Sequence, residues 1–159
     1  MTMLKILVPL DGTEKSMHSL NWLKKFFGKE DVEVTLINVI EVLYSREMLA
    51  TSELENVKIK SGKVLEEAAI ELKDYKVNKL IAMGFSSDVI VKEAKEGNYD
   101  MIIMTKSSIK GISRSIGSVT NKVLHHSEVT IVVVPEWLKL IIKQLNLLNE
   151  NSFNLINKI

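Results

Sequence analysis

The chain has 159 residues, 46% hydrophobic and 26% charged, and its 21 Lys and Arg against 20 Asp and Glu leave a formal charge of +1. At roughly 100–200 residues per domain this is one domain with its own core, and it is too apolar to be disordered. There is no cysteine, which excludes a disulfide scaffold, a thiol nucleophile and Cys-based metal centres, and the near balance of charge argues against a chain built to bind nucleic-acid backbones.

An apolar run over residues 4–10, closed by Asp11 and Gly12, predicts a first strand. Thr13 then makes a good N-cap, and Glu14 suits a first helical turn, where the dipole favours an anion. Met17, Leu20, Leu23 and Phe27 follow at helical spacing, and Gly28 sits where a C-terminal glycine belongs. Residues 32–42, with VTLINVI at 34–40, predict a second strand. A long helix over 51–75 carries the stripe Leu54, Val57, Leu65, Ala68, Ala69 and Leu72. KLIAMG at 79–84 predicts a third strand, and the helix after it starts at Ser87 or Asp88, buries Ile90 and Ala94 and stops at Gly97. DMIIMT at 100–105 predicts a fourth strand. A helix from Gly117 and Ser118 to His125 or His126 buries Val119, Val123 and Leu124, and residues 129–134 make a fifth strand stopped by Pro135.

Most of these strands are continuous apolar runs, the pattern of a parallel sheet covered on both faces. The order βαβαβαβαβ therefore implies right-handed crossovers and a five-stranded, doubly wound α/β sheet. Met83, Met101 and Met104 read as core filler. His18 falls mid-helix, no GxSxG elbow accompanies it, and it reads as solvent-facing or partly packed. His125 and His126 suit a helix C-terminus better than a metal, because adjacent histidines point in different directions. No catalytic residue and no metal ligand is expected. The apolar runs fall short of the roughly 20 residues a membrane span needs, so a cytoplasmic protein without a membrane segment is expected.

Doubly wound sheets hold ligands beyond the carboxyl ends of their strands, at the switch point. Here those ends carry Pro9 to Gly12, Val39 to Glu41, Gly84 to Ser86 and Met104 to Lys106. The segment DMIIMTKSSIKGISRSIGSV runs from the fourth strand through a polar loop to the helix start at Gly117 and Ser118. Free amides at that start, the helix dipole, and Lys106, Lys110 and Arg114 nearby make a phosphate site. The alternative is a solvated loop with Ser118 as an ordinary N-cap. The loop matches neither GxGxxG nor the Walker pattern.

Over residues 2–136 the chain resembles a universal stress protein domain of the UspA type. The resemblance is carried by ILVPLDGTEKSMHSLNWL, VTLINVIEV, DMIIMTKSSIKGISRSIGSVTNKVL and VTIVVVP in that order. It implies the strand order 3-2-1-4-5 and a site for ATP or another adenine nucleotide, with Mg²⁺ as its companion ion. Pro9, Asp11, Val39 and Met104 would take the adenosine side, and Thr105, Lys106, Ser108, Gly117, Ser118 and Val119 the phosphate side. The family's nucleotide-binding pattern is Gly, two residues, Gly, nine residues, then Gly with Ser or Thr. In this chain Thr105 and Ser108 stand at the first two glycine positions, and the stretch between Ser108 and Gly117 is one residue short. The resemblance implies a stress-response or signalling module that is not an enzyme. The alternative is a dimeric protein-interaction module that binds no nucleotide.

The resembling domain, residues 1–136, leaves a tail over residues 137–159. Leu138, Ile141, Leu145 and Leu148 lie at helical spacing there, which predicts an amphipathic helix that must bury its stripe on its own domain or on a partner. Resembling proteins commonly pair through the last strand. The expected assembly is a homodimer through the β-branched edge from Val129 to Val134, with the tail extending or replacing that interface.

Overall fold

The computed structural model describes residues 3–41, 51–106 and 116–135. Within them the chain runs β1 (Leu4–Pro9), α1 (Glu14–Phe26), β2 (Val32–Ile40), α2 (Thr51–Glu71), β3 (Lys76–Met83), α3 (Ser86–Glu96), β4 (Met101–Thr105), α4 (Ser118–His126) and β5 (Thr130–Val134). All five strands are parallel and lie in the order β3-β2-β1-β4-β5. The sequence-based fold class and strand order are therefore observed. The predicted tail helix lies outside the described residues. Among the described residues no helix is long and apolar enough to cross a membrane.

Alternation along the strands sorts the core into two layers. Ile6 and Val8 of β1 and Val32, Val34 and Leu36 of β2 pack with Leu20 and Leu23 of α1 and with Leu65 and Ala68 of α2. Leu7 and Ile37 face the other way, onto Ile90 and Ala94 of α3 and Val123 of α4. Two helices thus cover each face.

Several boundaries move for local reasons. α2 ends at Glu71 rather than Tyr75, since Leu72 to Tyr75 form a turn and the Tyr75 hydroxyl donates to the Phe27 carbonyl at 2.9 Å. β3 begins at Lys76, three residues early, because it is an edge strand whose polar Lys76, Asn78 and Lys79 face solvent. Its Met83 is 44% exposed and is not core filler, and Leu124 on α4 is 39% exposed rather than buried.

α3 stops as predicted at Gly97, but Asn98 takes the left-handed backbone (φ 51°). The Tyr99 amide donates to the Ala94 carbonyl at 3.1 Å and the Asn98 amide to Lys95 at 3.2 Å, the pair of bonds that closes a Schellman end. Gly97 is needed for a different reason: a Cβ there would stand 2.2 Å from the Tyr99 ring.

Candidate functional site

Three strand ends and three helix starts meet at the carboxyl edge of the sheet, where the winding reverses between β1 and β4. They line an open cleft of about 650 Å³, its solvent-filled mouth included.

The β1 end is tightly built. The Leu10 amide donates to the Ile37 carbonyl at 2.8 Å, and Asn38 Nδ2 donates to the Leu10 carbonyl at 2.7 Å. Asp11 follows, then Gly12 at φ +81°. A side chain at Gly12 would be strained by that backbone and would meet Val64 Cγ2 at 3.0 Å. Asp11 Oδ1 accepts from the Thr13 amide at 2.9 Å and from the Thr13 hydroxyl at 2.6 Å, an Asx turn. Thr13 is the N-cap of α1 as predicted, and its Oγ1 accepts from the Ser16 amide at 3.2 Å. Asp11 is thus exposed at the rim with its carboxylate direction fixed by the turn.

The three helix starts differ. α1 is capped by Thr13. α3 begins after Phe85 with no side-chain cap, and Glu41 Oε1 accepts from the Ser86 amide at 3.3 Å. α4 begins after Gly117, which is buried, sits at φ −59°, ψ 155° and provides no side-chain cap. The reading of Ser118 as an ordinary N-cap is therefore corrected: Ser118 is the first helical residue. Helix geometry leaves the amides of Ser118, Val119 and Thr120 without intrahelical partners, at the positive end of the dipole. Thr120 is buried, and its hydroxyl donates to the Thr105 carbonyl at 3.3 Å, which ties the start of α4 to the end of β4.

Of the residues predicted for the site, Pro9, Asp11, Val39, Met104, Thr105, Ser118 and Val119 all line this cleft. Gly117 sets the helix start behind it. Lys106 is half-buried, donates its amide to the Val134 carbonyl at 3.0 Å and is not among the described lining residues. Ser108, with Lys110 and Arg114, lies outside the described residues.

Leu10, Ser16, Ile37, Ser86, Ile90 and Thr120 also line the cleft. Leu10 and Ser86 stood out in the sequence only as strand-end residues. Ile37 could have been found from Val39, two residues on and on the same strand face. Ser86 was missed as a helix residue because α3 starts one residue earlier than its Ser87 and Asp88 suggested.

Among the described residues, the side chains whose pKa is shifted lie at the other end of the sheet. Glu33 is held below its ordinary value by hydrogen bonds from Lys76 and Asn78. Tyr99 is pushed up, mainly by burial. His18 is half-buried, with Nε2 shielded and without a hydrogen-bond partner among the described residues. His125 and His126 are exposed in the last turn of α4. Among the described residues no group of three or more His, Cys, Asp or Glu could hold a metal ion.

Fold and cleft together define a doubly wound α/β protein with an open cleft at its switch point. The chain belongs to the universal stress protein family, which it matches over residues 3–135. The universal stress protein MJ0577 of Methanocaldococcus jannaschii is 30% identical over 153 residues, covering 82% of this chain and 93% of that protein. The solved structure of MJ0577 has a TM-score of 0.70 and covers 86% of this chain and 98% of that one. Two more distant structures share the fold. One is a universal stress protein in complex with cAMP, at TM-score 0.66 and 18% identity, covering 82% of this chain and 96% of that one. The other is an Arabidopsis thaliana family protein with AMP bound, at TM-score 0.63 and 17% identity, covering 83% and 91%.

Proposed function

We propose that the cleft binds an adenine nucleotide and that the protein acts as a nucleotide-responsive stress or signalling module rather than an enzyme. One observation carries this reading. An apolar wall of Pro9, Val39 and Met104, the Asp11 carboxylate and the uncapped start of α4 converge on one cleft. The apolar wall suits a base, and a carboxylate suits ribose hydroxyls because it only accepts hydrogen bonds. Backbone amides at a helix start suit phosphate. The relatives with cAMP and AMP support the ligand class. Any Mg²⁺ would ride on the phosphates. Binding would stabilise the folded form by mass action without requiring turnover.

Thermal shift and calorimetry with ATP, AMP and adenosine test the reading. Stabilisation that Asp11→Ala or Gly117→Val abolishes is the expected result, and no response at millimolar nucleotide overturns it. Thr105 favours a second reading. It brings a side chain into the cleft wall where the family pattern has glycine, and a crowded cleft would leave a protein-interaction module. The same titrations separate the two.

The assembly proposed with this function is a homodimer through β5. That strand is an edge of the sheet with Ile131, Val132 and Val133 only half-buried, and such an edge invites a partner. Sedimentation of the full chain and of a chain ending at Val134 tests it, and two clean monomers overturn it.

A further inference from the structure

Leu10 is gripped from both sides by β2: its amide donates to Ile37 O at 2.8 Å and its carbonyl accepts from Asn38 Nδ2 at 2.7 Å. Asn38 is 8% exposed in a strand whose alternate residues Val34 and Leu36 belong to the layer under α1 and α2. Ile37 and Val39 line the cleft on the other face. The Asn38 side chain therefore leaves the sheet away from the cleft and does not line it. A buried amide costs stability unless it is hydrogen-bonded, so an apolar residue would suit this layer at least as well. The bond it makes has a geometric consequence. The Leu10 carbonyl and the Asp11 amide share one planar peptide unit, so holding the oxygen fixes the plane from which Asp11 departs. Two residues on, Thr13 fixes Asp11 Oδ1.

We propose that Asn38 is a positioning residue of the cleft: through the Leu10 carbonyl it sets where the Asp11 carboxylate stands against the nucleoside. This rests on the nucleotide reading of the cleft. Asn38→Leu removes the donor and keeps the number and branching of the side-chain heavy atoms. In that variant adenosine affinity falls at least about tenfold, the scale of one hydrogen bond to a charged group. Pyrophosphate affinity, read at the α4 start, stays within about twofold because that helix is built from β4. The Thr13 amide, observed by NMR, loses its hydrogen-exchange protection. General loosening of the fold would lower both affinities together, and that result overturns the proposal. So does unchanged adenosine affinity with an unchanged Thr13 amide. Should the wild-type chain bind neither probe, the nucleotide reading fails, and the Thr13 amide alone then decides: lost protection supports the hold on Asp11 and retained protection overturns it. Asn38→Ser, smaller and still polar but too short to reach Leu10 O, gives the same readouts if the leucine variant does not fold.

Discussion

Ser118→Pro isolates the backbone contribution of α4 to anion binding. Ser118 is the first helical residue, the position proline prefers, and its amide has no intrahelical carbonyl to lose. The preceding residue must be extended, and Gly117 already sits at φ −59°, ψ 155°. The Ser118 side chain is exposed, so its removal costs the core nothing. The fold should therefore tolerate the change, while the cleft loses one amide donor at the dipole's positive end. A hydrogen bond to a charged group contributes about 1.5–3 kcal/mol, or about 10- to 150-fold in affinity. Calorimetry should show that loss for ATP and AMP and little change for adenosine, which has no phosphate. Ser118→Ala, which keeps the amide, should bind like the wild type. A folded Ser118→Pro protein with undiminished ATP affinity would refute the assignment of phosphate to the α4 start. Equal losses for ATP and adenosine would refute the division of the cleft into two sides.

Gly62→Ala should stabilise the protein. Gly62 lies inside α2, and no neighbouring atom stands within 4 Å of where its Cβ would be. The gain is about 0.5–1 kcal/mol, read as a rise in Tm of about 1–4 °C; a fall would mean that α2 is not helical there. Glu33 governs a part of the acid stability. Its carboxylate accepts from Lys76 at 2.9 Å and Asn78 at 2.8 Å, joining β2 to the edge strand β3. Its pKa is held below the ordinary 4.5 in the folded state, so its contribution is present above the unfolded value and is lost as pH falls below 4.5 through the folded one. Glu33→Gln should therefore lose no more than about 1 kcal/mol at neutral pH, and the difference from wild type should vanish in acid. A difference that persists unchanged at pH 3 in denaturant titrations would contradict this.

Much of the cleft was legible in the sequence because strand ends are legible. Pro9, Asp11, Val39, Met104 and Thr105 stand where apolar runs stop, and Ser118 and Val119 where a helical pattern starts. Ser16 and Ile90 lie inside helical patterns. Their place in the cleft wall depends on how α1 and α3 sit against the sheet, which periodicity does not report.

By itself the sequence determined the alternation of strands and helices, the Thr13 start of α1 and the buried character of β1, β2 and β4. These follow from the local spacing of apolar residues and from cap chemistry, which act within a few residues. Tertiary structure alone decided which strands are edges, and hence why Met83 is exposed although it reads as core. It alone put Gly117 rather than Ser118 at the α4 cap. It alone turned Asn38 from a polar interruption in VTLINVI into the donor that holds the Leu10 carbonyl. That bond spans 28 residues of sequence, and only the parallel pairing of β1 with β2 brings its two ends together.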